Sequence, residues 1–116
     1  MGQEKKVVEK VTDDNYMYEC TDGMEVGMRC EVSPGERRGW VRYVGKETGE
    51  SKSNLPLGWW IGVEYDEPLG KNNGTVKGVK YFECADNFGA MIRPDKVKVG
   101  DYPNLADDIF GSDDEL

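Results

Sequence analysis

Between two strand-like runs the chain reads Gly70-Lys71-Asn72-Asn73-Gly74. Lys71 offers a full positive charge and three donors, and Asn72 and Asn73 add amide donors. Glycines on both sides let backbone N–H groups approach a ligand closely. Taken alone, the pentad is a hairpin loop, because Asn-Gly favours positive φ and both flanks look like strands. Its neighbourhood points further. In strand alternation Ile61, Val63 and Tyr65 face one way, and Trp60, Gly62 and Glu64 face the other. Gly62 leaves indole surface of Trp60 uncovered, which makes a shallow apolar trough. Two consecutive tryptophans cannot both enter one core, so one of them is at least partly exposed. A trough beside a cation and amides suits the C-terminal residue of a peptide, with its side chain in the trough and its carboxylate on the donors.

Other chemistries fit less well. The pentad is no phosphate loop, because G-x-x-x-x-G-K-[ST] is unmatched. Asn73-Gly74-Thr75 matches the glycosylation sequon, but the sequence reads as cytosolic. Histidine is absent, which removes the usual general base, zinc partner and Ser-His or Cys-His pairs. Cys20, Cys30 and Cys84 are an odd number without C-x-x-C spacing, so free thiols are expected, with Cys30 and Cys84 in the core. No metal or cofactor is implied. A hydrolase built on Glu64 with Asp66 or Glu67 has no nucleophile or oxyanion device beside it, and a solvated turn explains these acids better. The protein is therefore read as non-enzymatic. A reader of a different class would use Trp59, Trp60 and Tyr65 as a Tudor- or SH3-like aromatic cage for a methylated lysine or a Pro-rich peptide. Lys71 opposes that reading, since it repels a cation and attracts a carboxylate.

The elements that position these residues are short strands. The sequence has 116 residues, 37% of them hydrophobic and 15 of them glycine, which suits one small turn-rich β domain. Strands are expected at Met28 to Val32, Arg38 to Val44, Trp59 to Tyr65, Val79 to Cys84, Ala90 to Arg93 and Lys96 to Val99. In the second, Gly39, Val41 and Tyr43 share one face, and Trp40, Arg42 and Val44 the other. Gly45 to Leu57 reads as a long surface loop. Three regions follow: a polar segment at 1–21, the domain at 22–99 and an acidic tail at 100–116. The net charge of −8 hides an asymmetry. Residues 21–98 carry 12 basic and 12 acidic groups, while residues 99–116 carry none and six. An acidic balance argues against nucleic acid. No apolar run approaches the ~20 residues of a membrane span, and Lys6 stands where a myristoylation signal needs Ser or Thr.

At this point a resemblance is plain. "GWWIGVEYDEPLGKNNGTVKGVKYFEC" followed by "FGAMIRPDKVKVGDYP" resembles a CAP-Gly domain, the glycine-rich module of cytoskeleton-associated proteins, from about Val26 to Val99. "RCEV", "DEPLGKN", "YFEC" and "VGDYP" resemble most its tubulin-folding cofactors. The resemblance implies an all-β fold, a small, strongly bent antiparallel barrel-like (SH3-like) module with flexible acidic tails. It also implies a loop and aromatic groove that bind the acidic, aromatic-ended (EEY/F) C-terminus of α-tubulin and similar tails. Carried over by position, the peptide site comprises Gly70, Lys71, Asn72, Asn73 and Gly74 with Trp60, Phe82 and nearby Phe88. Two departures stand out: Asn73 replaces the family's aspartate, and Met91 replaces an aromatic residue and is more adaptable.

The implied function is a tubulin-binding module that serves as a folding cofactor or chaperone in heterodimer assembly or disassembly. It would be cytoplasmic and cytoskeleton-associated. Its partners would be the α-tubulin tail, other tubulin-folding cofactors and other EEY/F-ended proteins, without nucleic acid or membrane. The tail Asp114, Glu115 and Leu116 mimics such a ligand and is expected to occupy the protein's own groove, in cis or in trans. Asp113 to Leu116 also resembles an ER-retention signal, which has no use without a secretory leader.

Overall fold

The computed structural model describes residues 13–50, 52–53 and 55–103. Seven strands follow one another: β1 (Arg29–Val32), β2 (Arg37–Glu47), β3 (Gly58–Tyr65), β4 (Thr75–Val76), β5 (Val79–Lys80), β6 (Gly89–Ile92) and β7 (Val97–Val99). Single 3₁₀ turns occupy Tyr18–Thr21 and Pro94–Lys96. Five strands form an antiparallel sheet in the order β6-β3-β2-β1-β7, and β4 pairs with β5 in a small separate ribbon. The all-β expectation is met. The sheet stays open, with β6 and β7 as its edges, rather than closing into a barrel.

Period-two patterning explains which face is dry. Cys30 and Val32 of β1, Val41 of β2, Ile61, Val63 and Tyr65 of β3, Ala90 of β6 and Val97 of β7 form the core. Met24, Met28, Val44, Ile92 and Val99 pack around it. Full burial of an aliphatic side group stabilises by roughly 1.5–3 kcal/mol, so one modest cluster holds all five strands.

Strict alternation fails in β2. The pairing of β2 with β3 slips between Val41 and Tyr43, so Arg42 is the extra residue of a β-bulge. Beyond it the faces exchange: Val44 packs on the core, and Tyr43 joins Trp40 on the outer side. The expected grouping of Tyr43 with Val41 is thereby corrected. β2 also runs on to Glu47, because Gly45 to Glu47 pair with Gly58 to Trp60. The loop therefore starts later than Gly45. Of Val79 to Cys84, only Val79 and Lys80 are strand; Tyr81 and Phe82 instead donate their N–H groups to Gly74 O. Cys84 is half-buried and outside the core, whereas Cys30 is fully buried.

Two peripheral segments are pinned to the sheet. Trp59 N–H donates to Tyr16 O at 2.9 Å, and the Tyr18 and Trp59 rings lie 5.3 Å apart. At another point of the sheet Arg29 Nε donates to Tyr102 O at 2.7 Å, and Arg38 stacks on the Tyr102 ring. Arg29 also holds Asp66 through two hydrogen bonds, 2.9 and 2.6 Å, beneath the exposed Trp40 ring.

Candidate functional site

The Gly70 to Gly74 loop is not the turn of a hairpin, since β3 pairs with β2 and β6 and not with β4. It is bolted to the start of β6. Gly70 N–H donates to Asn87 O at 2.8 Å, and Lys71 and Asn72 both donate to Gly89 O at 2.8 and 3.0 Å. Gly89 N–H returns a bond to Asn72 O at 2.8 Å, completing an isolated bridge. Asn73 O accepts Cys84 N–H at 3.0 Å. The asparagine side-chain oxygens brace the loop itself: Asn72 Oδ1 accepts Gly74 N–H, and Asn73 Oδ1 accepts Thr75 N–H. Gly74 sits at φ 99°, and a Cβ there would collide with Phe82 O, so only glycine fits.

Lys71 is exposed, and no side chain among the described residues pairs with its ammonium. Three other cations are matched: Arg42 with Glu64 at 2.8 Å, Lys80 with Glu83 at 3.1 Å and Arg29 with Asp66. The loop thus presents an uncommitted charge on a backbone that the sheet holds still. Lys71, Asn72, Asn73, Thr75, Asp86 and Asn87 line an open depression of about 350 Å³ beside it.

The outer face of β3 and β6 continues from that loop. Gly62 stands opposite Met91, and Trp60 is one outward position further along. The gap expected over Gly62 is occupied: a Cβ there would meet Phe82 Cε1 at 2.6 Å and Tyr43 Cβ at 2.8 Å. Phe82 and Tyr43 therefore fill the trough beside Trp60 with aromatic rings instead of leaving bare backbone. Tyr43 meets Tyr81 edge-on with ring centres 5.1 Å apart, and Tyr81 Oη donates to the buried Glu47 carboxylate at 2.7 Å. At the far end the Arg93 guanidinium lies 4.1 Å from the Trp60 ring centre and 4.8 Å from that of Tyr16. It donates to Leu57 O and Trp59 O at 2.8 and 3.1 Å. Burial lowers the Arg93 pKa from the ordinary arginine value, yet a guanidinium keeps its charge.

The structure brings Trp60, Phe82 and Met91 to one face, and joins Gly70, Lys71, Asn72, Asn73 and Gly74 to the end of it. Phe88 is half-buried just before β6, and its carbonyl accepts the Tyr65 N–H at 2.7 Å. The aromatic-cage alternative is overturned: Tyr65 is 3% exposed within the core, while Trp59 and Trp60 point to opposite sides of β3. The carboxylate pair considered for hydrolysis is likewise dismantled, since Glu64 holds Arg42 and Asp66 holds Arg29. Among the described residues no group of His, Cys, Asp and Glu could hold a metal ion, and no helix is long and apolar enough to cross a membrane. Asp114, Glu115 and Leu116 lie outside the described residues. Sequence reasoning missed Tyr43 and Arg93. The bulge that turns Tyr43 outward has no motif, and the register that seats Arg93 on Trp60 is a tertiary fact.

An antiparallel sheet with a glycine-flanked lysine–asparagine loop docked on its edge strand defines a class, and comparison agrees. The model of the CAP-Gly domain matches residues 26–97, and the chain belongs to the CAP-Gly family. Among solved structures it is similar to the CAP-Gly domain in human Kinesin-like protein KIF13B, with a TM-score of 0.61 and 27% identity, covering 88% of this chain and 91% of that one. Among curated proteins it is 50% identical over 103 residues to tubulin-folding cofactor B of Arabidopsis thaliana, covering 89% of this chain. It is 46% identical over 98 residues to tubulin-specific chaperone B of Caenorhabditis elegans, covering 82% of this chain. The chain spans 40% of the length of each of these two relatives.

Proposed function

We propose that this protein is a non-enzymatic binding module that captures acidic, aromatic-ended C-terminal tails. The observation that carries the reading is the Lys71 ammonium, exposed and without a side-chain partner among the described residues, on a loop fixed to Gly89 by backbone hydrogen bonds. A terminal carboxylate is the natural partner for such a charge, and the loop loses little entropy on binding because it is already ordered. Trp60, Phe82 and Met91 supply the apolar surface for the last side chain. Likeness to two proteins named for tubulin folding favours the EEY-type tail of α-tubulin as the ligand, and service in heterodimer assembly or disassembly as its use. A cytoplasmic, cytoskeleton-associated place follows from that reading.

The test titrates a free-acid EEY peptide and its C-terminal amide against the protein, followed residue by residue by NMR. The acid binds and shifts Lys71, Asn72 and Trp60 resonances, while the amide binds far more weakly. Lys71→Ala removes a charge-assisted contact worth about 1.5–3 kcal/mol, roughly ten- to hundredfold in affinity. Equal binding of acid and amide, or an unchanged affinity in Lys71→Ala, sinks the assignment.

A further inference from the structure

Tyr16 lies outside residues 26–97, the range that the family model matches, yet it packs at the end of the aromatic face. Its backbone is pinned: Tyr16 O accepts the Trp59 N–H at 2.9 Å, and Lys46 Nζ donates to the neighbouring Asn15 Oδ1 at 3.2 Å. The Tyr16 ring lies 4.8 Å from the Arg93 guanidinium carbon, and the Trp60 ring lies 4.1 Å from the same atom. Gly58 leaves room for this packing, since a Cβ there would come within 2.7 Å of Tyr16 Cβ and 2.8 Å of Arg93 Nη1. Bonds to Leu57 O and Trp59 O fix the guanidinium further. Rings and carbonyls thus hold Arg93, and no carboxylate among the described residues forms a salt bridge with it. Asp95 acts on it only from a longer distance. What results is a half-buried positive charge whose side-chain entropy is already lost before any ligand arrives.

The spacing from Lys71 suits an acidic ligand. Gly89 anchors the Lys71 loop at the start of β6, and Arg93 follows directly on the end of that strand. The strand rise puts the two roughly 13 Å apart along β6. An extended peptide covers that length in about four residues. A peptide whose last carboxylate meets Lys71, and which runs past Met91 and Trp60, therefore brings the acids before its last residue level with Arg93. We propose that Tyr16 is a specificity-determining positioning residue: it clamps Arg93 against Trp60, so that the guanidinium selects ligands with acidic residues ahead of the C-terminal one. Arg93 makes the contact, and Tyr16 acts through it. Without the Tyr16 ring the guanidinium loses one of the two aromatic faces that hold it, and it can swing away from Trp60. The inference rests on the function proposed above, to which it adds a second cation and a contribution from outside the family domain.

Free-acid peptides ending in EEY and in QQY, and the C-terminal amide of the EEY peptide, are titrated against the full chain at low salt. The parent is expected to prefer EEY over QQY by roughly three- to tenfold, between the worth of an exposed and a partly desolvated charge pair. Tyr16→Ala lowers that ratio towards one by weakening EEY more than QQY, whereas Tyr16→Phe keeps the ring and the ratio. A merely structural loosening weakens both peptides alike and leaves the ratio where it was. Circular dichroism checks that each variant folds. Should Tyr16→Ala not fold, Arg93→Lys, which keeps the charge but cannot lie flat between two rings, is read in the same way. A folded variant with the parent's ratio, or a parent that does not distinguish EEY from QQY, overturns the inference. If the parent then still binds the EEY acid better than its amide, the function proposed above stands. If acid and amide bind equally, both fall.

Discussion

Lys71 and Gly62 show how single residues set this site by what they lack. Lys71 lacks a side-chain partner among the described residues, and so its charge is available. Gly62 lacks a side chain, and so Phe82 and Tyr43 can lie against the sheet. Gly62→Ala pushes a methyl group to 2.6 Å from Phe82 Cε1. The rings must shift, at a cost of about 1–3 kcal/mol. A lowered urea midpoint and displaced Phe82 resonances are the expected readout. Cys30 makes a second residue-scale prediction. Burial pushes its thiol up from 9.0 to about 11. The folded pKa exceeds the unfolded one, so the neutral thiol's contribution is complete below pH 9.0 and is lost as pH rises towards about 11. That amounts to about 2–3 kcal/mol across the window. Urea midpoints measured through this range should fall more steeply for the parent than for Cys30→Val, which has no proton to lose.

Elements explain why these residues meet. The bulge at Arg42 turns Tyr43 to the outer face and leaves Val44 for the core, so one inserted residue furnishes both the aromatic wall and a core contact. Register does the same for β6: Ile61 opposite Ile92 places Arg93 beside Trp60 and Met91 beside Gly62. The segment around Tyr16 to Thr21 buttresses this end by covering Trp59 and Arg93. Tyr18→Ala removes the ring contact with Trp59, worth about 0.5–1.5 kcal/mol beyond lost area. Its thermal midpoint should drop by several degrees, with faster hydrogen exchange at the Trp59 amide. An unchanged midpoint and exchange rate would show that the segment merely rests on the sheet.

At the scale of the whole molecule, one core joins all five strands of the main sheet. Unfolding should therefore be a single transition, coincident by tryptophan fluorescence and far-UV circular dichroism. An early fluorescence change would mark the Trp59 and Trp60 end as a separate unit. Much of this was legible in sequence. Alternating Ile61, Val63 and Tyr65 announced a half-buried strand, and the glycine-flanked Lys71 announced an exposed cation, because burial and turn chemistry are local properties of residue type and spacing. The order of motifs carried the family. The resemblance already set Phe82 and Met91 with Trp60; what the tertiary structure alone decided was how they share a face and that Tyr43 and Arg93 join them. The trough expected over Gly62 is filled by Phe82, which lies well beyond β3 in sequence. Tyr43 arrives through a bulge that no pattern marks, and the loop is fastened to Gly89 rather than closing a hairpin. Each depends on register between strands distant in sequence, and a slip of one residue there sends every side chain to the opposite face.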